Sequence, residues 1–337
     1  SNACGEVESN VALIEVFQPS THQIALPQQW SGISSYITPD NPEMENVFAD
    51  ITSSLILISN YQGVYWPEQG VNTLVNWSVT SGYKIKMAEN NSLFLQGEVR
   101  YPLAELSIPA GWSYLPVNTP CAVNVADFFG DYPGIAMIKE IAGTGIYWPE
   151  LGINTIQELN PGEAYEILNN GSEIAFKYPF CDDPIVETKS SETQNVSHPW
   201  NNIHRTPATH VFGLTSQALA KLEPGDIVGI FTAEDICVGV VDIRNDETAA
   251  ITAFADDQLT SSKDGFTPGE KAVFKVYRSS TGEEFDLDIQ YADYAASDGL
   301  FVPGGISHIT DLEYKASSTN DDFSKVKASS LKADDYI

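Results

Sequence analysis

The chain has 337 residues, of which 42% are hydrophobic, enough to bury the cores of two or three domains. Its 46 Asp and Glu residues outnumber its 17 Lys and Arg residues, and the resulting net charge of −29 argues against nucleic acid or an anionic membrane as a partner. No apolar run is long enough to cross a membrane, so we expect no transmembrane segment.

The first half of the chain contains three sequence blocks that recur 82 residues later. Three separated blocks in one register predict a tandem duplication, with repeat 1 at residues 23–104 and repeat 2 at residues 105–180. Residues 1–22 are then an N-terminal segment, whose first residues, Ser1-Asn2-Ala3, match the remnant of a removed purification tag. The matched blocks are residues 24–31 with 106–113, 65–74 with 147–156, and 83–85 with 165–167.

Each repeat is predicted to mix helix and strand. In repeat 1, Asn41 followed by Pro42 and Glu43 indicates a helix start, and the apolar residues that follow fall at helical spacing. Apolar runs on both sides of Asn60 predict a hairpin, and Asn72 is expected to begin a short helical turn. Repeat 2 is expected to follow the same plan, with its helix at residues 123–129. The strands predicted in repeat 1 are 30–36, 55–58, 63–66, 82–87 and 93–96.

The second half of the chain changes character. Residues 181–197 are rich in Asp, Glu, Ser and Thr and lack aromatic side chains, which predicts an interdomain linker. Residues 198–315 contain short alternating runs separated by turn residues, which is typical of a β-sandwich. Residues 316–337 are expected to form a disordered tail. The strands predicted in this third domain are 210–212, 227–231, 237–243, 249–255, 272–277 and 284–289.

These patterns together predict an α+β, mostly β fold class, with two tandem α+β repeats followed by a β-sandwich domain. Cys121 and Cys181 bracket repeat 2, and whether they pair stays open because disulfide connectivity cannot be read from sequence. Cys237 lies in an alternating apolar run and is expected to be a buried small hydrophobe.

The Tyr-Trp-Pro-Glu motif, present once in each repeat, is the most distinctive candidate site. Because proline cannot continue a central strand, each tryptophan is predicted to lie at a strand end or turn. One interpretation is a sugar-binding surface on which the aromatic rings stack and the acids bond hydroxyls. We favour the other, in which the tryptophans fill the repeat's own core, because motifs shared between repeats commonly encode the fold. The candidate ligand-binding residues are Tyr65, Trp66, Glu68, Tyr147, Trp148 and Glu150.

Four acids of the third domain form a candidate calcium site, since carboxylate oxygens are the ligands that calcium prefers. Their spacing is not that of an EF-hand loop, and turn acids that bond their own backbone explain the cluster equally well. No cofactor other than calcium is expected. The candidate ligands are Asp256, Asp257, Asp264 and Glu270.

Three histidines, His198, His204 and His210, are spaced by six residues and would share one face of a continuous strand. Pro199 and Pro207 interrupt such a strand, which favours ordinary loop and strand-edge histidines over a metal site. The sequence carries no HExxH, GxSxG or P-loop motif, so no catalytic residue is assigned and we expect no enzyme.

The chain resembles modules of secreted Bacteroidetes proteins of unknown function. Residues 26–36 with the later Tyr-Trp-Pro-Glu and Asn-Thr block resemble a repeat module, and residues 225–231, 237–239, 256–257 and 264–270 resemble a β-sandwich module often found beside it. The resemblance implies a non-catalytic extracellular or cell-surface structural or adhesive interaction module, whose partner is a protein or glycan at the cell surface. The alternative is a carbohydrate-binding module that uses the repeated motif.

Overall fold

The computed structural model describes residues 16–101, 103–179, 181, 198–244, 248–293, 296 and 298–315. Strands dominate these residues, and the α-helices among them are four or five residues long, so the mostly β fold class is confirmed. These helices are α1 (Met44–Val47), α2 (Val125–Phe129) and α3 (Ser216–Leu219). The predicted linker beyond Cys181 and the predicted tail at 316–337 lie outside the described residues.

Repeat 1 forms a five-stranded antiparallel sheet and a smaller three-stranded one. The spatial orders are β2-β7-β4-β5-β6 and β1-β8-β3. β1 begins at Val16, so the expected domain boundary after residue 22 is wrong: it cuts a strand that pairs along its length with β8. The strands are β1 (Val16–Leu26), β2 (Gln29–Ile33), β3 (Thr38–Pro39), β4 (Leu55–Ser59), β5 (Val64–Trp66), β6 (Val71–Asn72), β7 (Tyr83–Met87) and β8 (Asn91–Tyr101).

Repeat 2 contains a five-stranded sheet with the matching order β10-β16-β12-β13-β14. β10, β13 and β14 start 82 residues after β2, β5 and β6, while β16 and β12 start 81 and 80 residues after β7 and β4, so the two sheets correspond strand for strand. Each sheet covers its own core, around Phe48 and Tyr83 in repeat 1 and around Phe129 and Tyr165 in repeat 2. The strands are β9 (Leu106–Ile108), β10 (Gly111–Pro116), β11 (Val123–Asn124), β12 (Ile135–Glu140), β13 (Ile146–Trp148), β14 (Ile153–Asn154), β15 (Glu158–Leu159), β16 (Ala164–Asn169) and β17 (Ile174–Phe176).

Two local predictions in repeat 1 need correction. The helix starts later than expected: Glu43, not Asn41, precedes α1, and a 3-10 turn at Ala49–Ile51 follows it. The short helical turn lies at Pro67–Gln69, whereas Asn72 ends the strand β6. Pro67 is the first residue of the 3-10 turn, where its fixed φ suits the turn, whereas Pro42 precedes the residue that caps α1.

The two repeats meet through residues at equivalent positions. A Cβ placed on Gly32 would lie 2.2 Å from the Ala164 carbonyl oxygen, and one placed on Gly82 would lie 3.0 Å from the Tyr114 Cβ. Gly32 and Tyr114 are 82 residues apart, and so are Gly82 and Ala164. The contact is therefore reciprocal, as it is across a two-fold axis between identical subunits. Repeat 1 supplies glycine at both positions, which lets the larger residues of repeat 2 approach its backbone.

The third domain is one continuous seven-stranded sheet of order β20-β19-β22-β23-β24-β18-β21, and not two stacked sheets. Its edge strands approach each other, because a Cβ on Gly239 of β20 would lie 2.3 Å from the carbonyl oxygen of Thr252 in β21. The sandwich expectation is thus corrected to a rolled sheet around one core. The strands are β18 (Thr209–Leu214), β19 (Asp226–Phe231), β20 (Cys237–Asp242), β21 (Ala249–Phe254), β22 (Val273–Arg278), β23 (Glu283–Tyr291) and β24 (Gly305–Tyr314).

Cys121 and Cys181 form a disulfide, with their Cα atoms 6.0 Å apart. It links the end of repeat 2 to the segment between β10 and β11. Cys237 is a free cysteine and is half-buried, less than its apolar surroundings in sequence indicated. Burial raises the pKa of its thiol to about 11, so it stays protonated and is a poor nucleophile near neutral pH.

Candidate functional site

The repeated Tyr-Trp-Pro-Glu motif forms the exit of a strand, as predicted. Trp66 and Trp148 are the last residues of β5 and β13, and each is followed by a 3-10 turn that begins with proline. Gly70 and Gly152 end these turns with φ values of 64° and 68°, in the left-handed region that favours glycine. Glu68 and Glu150 lie exposed on the turns.

The two aromatic residues of the motif point to opposite faces of the sheet, because side chains alternate along a strand. Tyr65 and Tyr147 are buried in the cores of their own repeats. The tryptophans lie on the outer face, where the third domain packs, together with the tryptophan of the first strand of each sheet. We call this surface the tryptophan face; its members are Trp30, Trp66, Trp112 and Trp148.

The repeat 2 half of the tryptophan face is covered by the third domain. Trp148 is 2% exposed and packs in an apolar cluster with Val211 of β18, while the ring of His308 lies edge-on to it with centroids 4.7 Å apart. A Cβ on Gly213 would lie 2.7 Å from the Trp148 ring, so the absence of a side chain at this position lets β18 pack closely against the indole. Trp112 donates from Nε1 to the carbonyl oxygen of Gly304 at 3.0 Å.

This burial corrects two earlier interpretations. Tyr147 and Trp148 are not a sugar-stacking surface, because repeat 2 and the third domain cover them. Nor does either tryptophan fill its own repeat's core, which is the role of the tyrosine beside it. The motif serves the fold by building the interface between domains.

The repeat 1 half of the tryptophan face is fastened by one carboxylate of the third domain. Asp257 is 4% exposed, and its Oδ2 accepts from Lys86 Nζ at 2.7 Å and from Trp30 Nε1 at 2.8 Å. His204 places Nε2 3.2 Å from the same oxygen. Burial alone raises the pKa of the Asp257 carboxyl, but the hydrogen bonds from Lys86, Trp30, the Leu259 amide and His204 outweigh it and hold the pKa below its usual range.

The other three acids of the candidate calcium site bond to their own loops. Asp256 accepts from the Asp264 amide at 2.7 Å, and Asp264 accepts from the Asp257 amide at 2.9 Å. Glu270 accepts from the Thr267 amide at 3.1 Å and pairs with a lysine. Across the described residues, no three His, Cys, Asp or Glu side chains are grouped to hold a metal ion. The geometry supports the turn interpretation of these acids and gives the calcium hypothesis no support.

The three histidines do not meet. His198 accepts from the Trp200 amide, and His204 joins Asp257 as described. His210 is fully buried in β18, where its Nδ1 accepts from the Val302 amide at 3.1 Å and its Nε2 lies 2.9 Å from Ser307 Oγ. His198 and His204 are loop histidines, as the intervening prolines indicated, whereas His210 lies in the interior strand β18 and not at an edge of the sheet.

A cleft of about 750 Å³ remains between the repeat 1 half of the tryptophan face and the third domain. Trp66 is half-buried there, in contrast to its buried counterpart Trp148. The indole Nε1 of Trp66 is buried without a hydrogen-bond acceptor among the described residues, so the ring rather than the N–H faces the cleft. The side chains that line the cleft include Trp30, Tyr61, Trp66 and Lys84 from repeat 1, and Asp256 and Leu259 from the third domain.

Sequence reasoning assigned no role to Trp30, Lys86 or His204. The block that contains Trp30 recurs at Trp112, and this recurrence was the available signal that both tryptophans matter. No sequence signal indicated a role for Lys86, because its partner Asp257 lies 171 residues away in sequence.

Comparison with protein-family models, curated proteins and solved structures finds no match to this chain. None of the helices among the described residues is long and apolar enough to span a membrane.

Proposed function

We propose that this protein is a non-catalytic structural and adhesive module that works outside the cell or at its surface. The observation that carries the proposal is the tryptophan face, which holds the third domain against both repeats. The buried Trp148 and the buried Lys86–Asp257 pair are unusual between domains joined by a linker, whose interfaces are commonly small and polar. A rigid unit of this kind suits presentation of a surface to a partner.

Two further features support a location outside the cytoplasm. The disulfide between Cys121 and Cys181 is of the kind that forms and persists in oxidising compartments. The net charge of −29 keeps a protein dispersed at high concentration. The resemblance to secreted Bacteroidetes modules agrees with both.

The location is tested by protease treatment of intact cells of the organism that makes the protein. We expect a general protease to remove the protein without lysis, and mass spectrometry after alkylation to find Cys121 and Cys181 oxidised. A protein that resists protease until the cells are lysed, and whose two cysteines are alkylated without prior reduction, would contradict the proposal.

Carbohydrate binding is a second candidate function, and one observation favours it. The burial of Trp148 excludes a sugar-binding surface that uses both copies of the Tyr-Trp-Pro-Glu motif. Trp66, however, is half-buried in an open cleft whose walls carry aromatic and polar side chains. Small-ligand sites commonly have volumes of about 300–1,000 Å³, which includes this cleft.

A further inference from the structure

The third domain packs unevenly on the tryptophan face, and this creates the cleft. Over repeat 2 the strands of the third domain reach Trp148 directly, with Gly213 allowing the close approach. Over repeat 1 the contact is made through the Asp257 loop, and the surface around Trp66 is left partly open. The third domain therefore covers the tryptophan face of repeat 2 but leaves the equivalent surface of repeat 1 partly open, so the surface of repeat 1 is available to a ligand.

The mouth of the cleft exposes apolar side chains from both walls. Tyr61, at the tip of the β4–β5 hairpin, is 63% exposed, and Leu259 of the third domain is 41% exposed. The Tyr61 ring stacks on Tyr114 of repeat 2, with centroids 4.5 Å apart and planes 25° apart. Because that contact fixes the ring in place, Tyr61 presents a flat aromatic surface at little further cost in conformational entropy.

The same hairpin borders a second cavity of about 250 Å³, which Trp112 and Tyr114 also line. Tyr61 contributes to both cavities, so together they form a track that runs from repeat 1 toward repeat 2 with aromatic rings on either side of the hairpin tip. A track of this form fits a chain of several rings better than a single small molecule.

Polar groups in the cleft are placed to bond hydroxyls. The Lys84 ammonium lies 5.9 Å from the centroid of the Trp30 ring, and within the described residues no acceptor takes a hydrogen bond from it. Asp256 uses Oδ1 for the Asp264 amide, and its Oδ2 accepts no hydrogen bond from the part of the chain described. One strong donor and one strong acceptor thus flank the aromatic surface.

The chemistry of the walls favours a saccharide over a peptide. The centre of the repeat 1 wall is the face of a sheet in which β4, β5 and β7 are each hydrogen-bonded on both sides, so a peptide strand cannot add to them. The edge strand β2 lines the cleft only with Trp30. The net charge of −29 disfavours polyanionic ligands.

We propose that the cleft binds a neutral saccharide chain, with its sugar rings against Tyr61 and Trp66 and its hydroxyls bonded by Lys84 and Asp256. This deepens the adhesive role proposed above, on which it rests, by assigning the class of ligand and the residues that hold it.

The experiment is a screen of the purified full chain on an array of neutral glycans, followed by calorimetric titration with the hexasaccharides of the best class. Decaproline is titrated in parallel, because proline-rich peptides also dock on aromatic grooves. We expect a neutral glycan to bind and decaproline not to bind. Absence of any neutral glycan ligand, or binding of decaproline alone, overturns the proposal.

Variants then locate the site. Tyr61→Ala should weaken the affinity about tenfold, the size expected for one lost aromatic stacking contact. Leu259→Ala, on the opposite wall, should weaken it several-fold and serves as the second variant should Tyr61→Ala fail to fold. Phe94→Ala is the matched control, because Phe94 is an aromatic residue with 60% exposure that does not line the cleft. Sugar binding that Tyr61→Ala and Leu259→Ala leave unchanged overturns the assignment.

The titration uses purified protein, so its outcome is independent of where the protein resides. A failed protease experiment with intact sugar binding would refute the extracellular role alone. An accessible protein that binds no glycan would refute the saccharide site alone.

Discussion

Replacing Asp257 by alanine removes the acceptor shared by Lys86, Trp30 and His204. The side chains of Lys86 and Asp257 are only 4% and 3% exposed, so the variant leaves an ammonium group in a site that water does not reach. Removing one partner of a buried ion pair costs about 3–5 kcal/mol, because the remaining charge is no longer compensated. We expect the free energy of unfolding to fall by that amount.

The assay is urea unfolding followed by tryptophan fluorescence, with Asp288→Ala as the control. Asp288 also pairs with a lysine, Lys315, but its side chain is 70% exposed, and such pairs contribute about 0–1 kcal/mol. A loss below about 1 kcal/mol for Asp257→Ala, equal to that of the control, would refute the view that this pair holds the domains together. The double variant Lys86→Met, Asp257→Leu should recover most of the loss, because replacing a buried ion pair by apolar residues is often neutral.

The same pair sets an expected response to acid. The folded-state pKa of Asp257 is lowered, so the unfolded chain binds a proton at this carboxyl more readily than the folded chain does. Its contribution to stability is complete above the ordinary Asp value of about 3.9 and is lost as the pH falls below it. The wild-type protein should therefore lose more stability than the double variant below about pH 4.

Three further outcomes are expected. Replacing Cys121 and Cys181 by serine should lower the free energy of unfolding by about 2–4 kcal/mol, because the disulfide closes a loop with a sequence separation of 60; equal denaturation curves with and without reductant would contradict this. Val75→Gly should raise stability by about 1 kcal/mol, because Val75 is β-branched, 55% exposed and held at a φ of 62°. The His210 ring should titrate in NMR with a pKa of about 4, since burial lowers it, and its stabilising effect is complete above about pH 6.5 and lost as the pH falls toward 4.

The predictions for Val75→Gly and for the His210 titration have internal controls. Gln157 occupies the position of Val75 in repeat 2 with a φ of 59°, and Gln157→Gly should gain less because glutamine is not β-branched. A destabilised Val75→Gly would show that the left-handed conformation carries no strain. In the urea-unfolded chain the His210 ring should titrate near its ordinary value of about 6.5, and the same value in the folded protein would contradict its burial.

Much of the fold could be predicted from local sequence patterns. The offset of 82 residues located the blocks that became corresponding strands, and proline after tryptophan placed Trp66 and Trp148 at strand ends. Six strands of the third domain were anticipated from alternation and turn residues. The seventh, β24, was missed because Ser307, His308 and Asp311 interrupt its apolar pattern, although the first two are buried.

Features that depend on distant contacts carried no local signal. A rolled sheet and a two-sheet sandwich have the same alternation, so sequence could not separate them for residues 198–315. The burial of Trp148 depends on the docking of β18, and the role of Asp257 depends on Lys86 and Trp30, which lie in another domain. The acids that resembled a calcium site instead supply one interdomain acceptor and several turn contacts.

The claim that the third domain is fixed on both repeats is tested most directly by a distance measurement between spin labels. The labels are attached to cysteines that replace Glu89 in repeat 1 and Glu283 in the third domain, both exposed, in a Cys4→Ser, Cys237→Ser background that removes the two cysteines outside the Cys121–Cys181 disulfide. Double electron–electron resonance should give one narrow distance distribution for the wild-type interface, and a broader one when Asp257→Ala is added. A broad distribution with Asp257 intact would contradict the account.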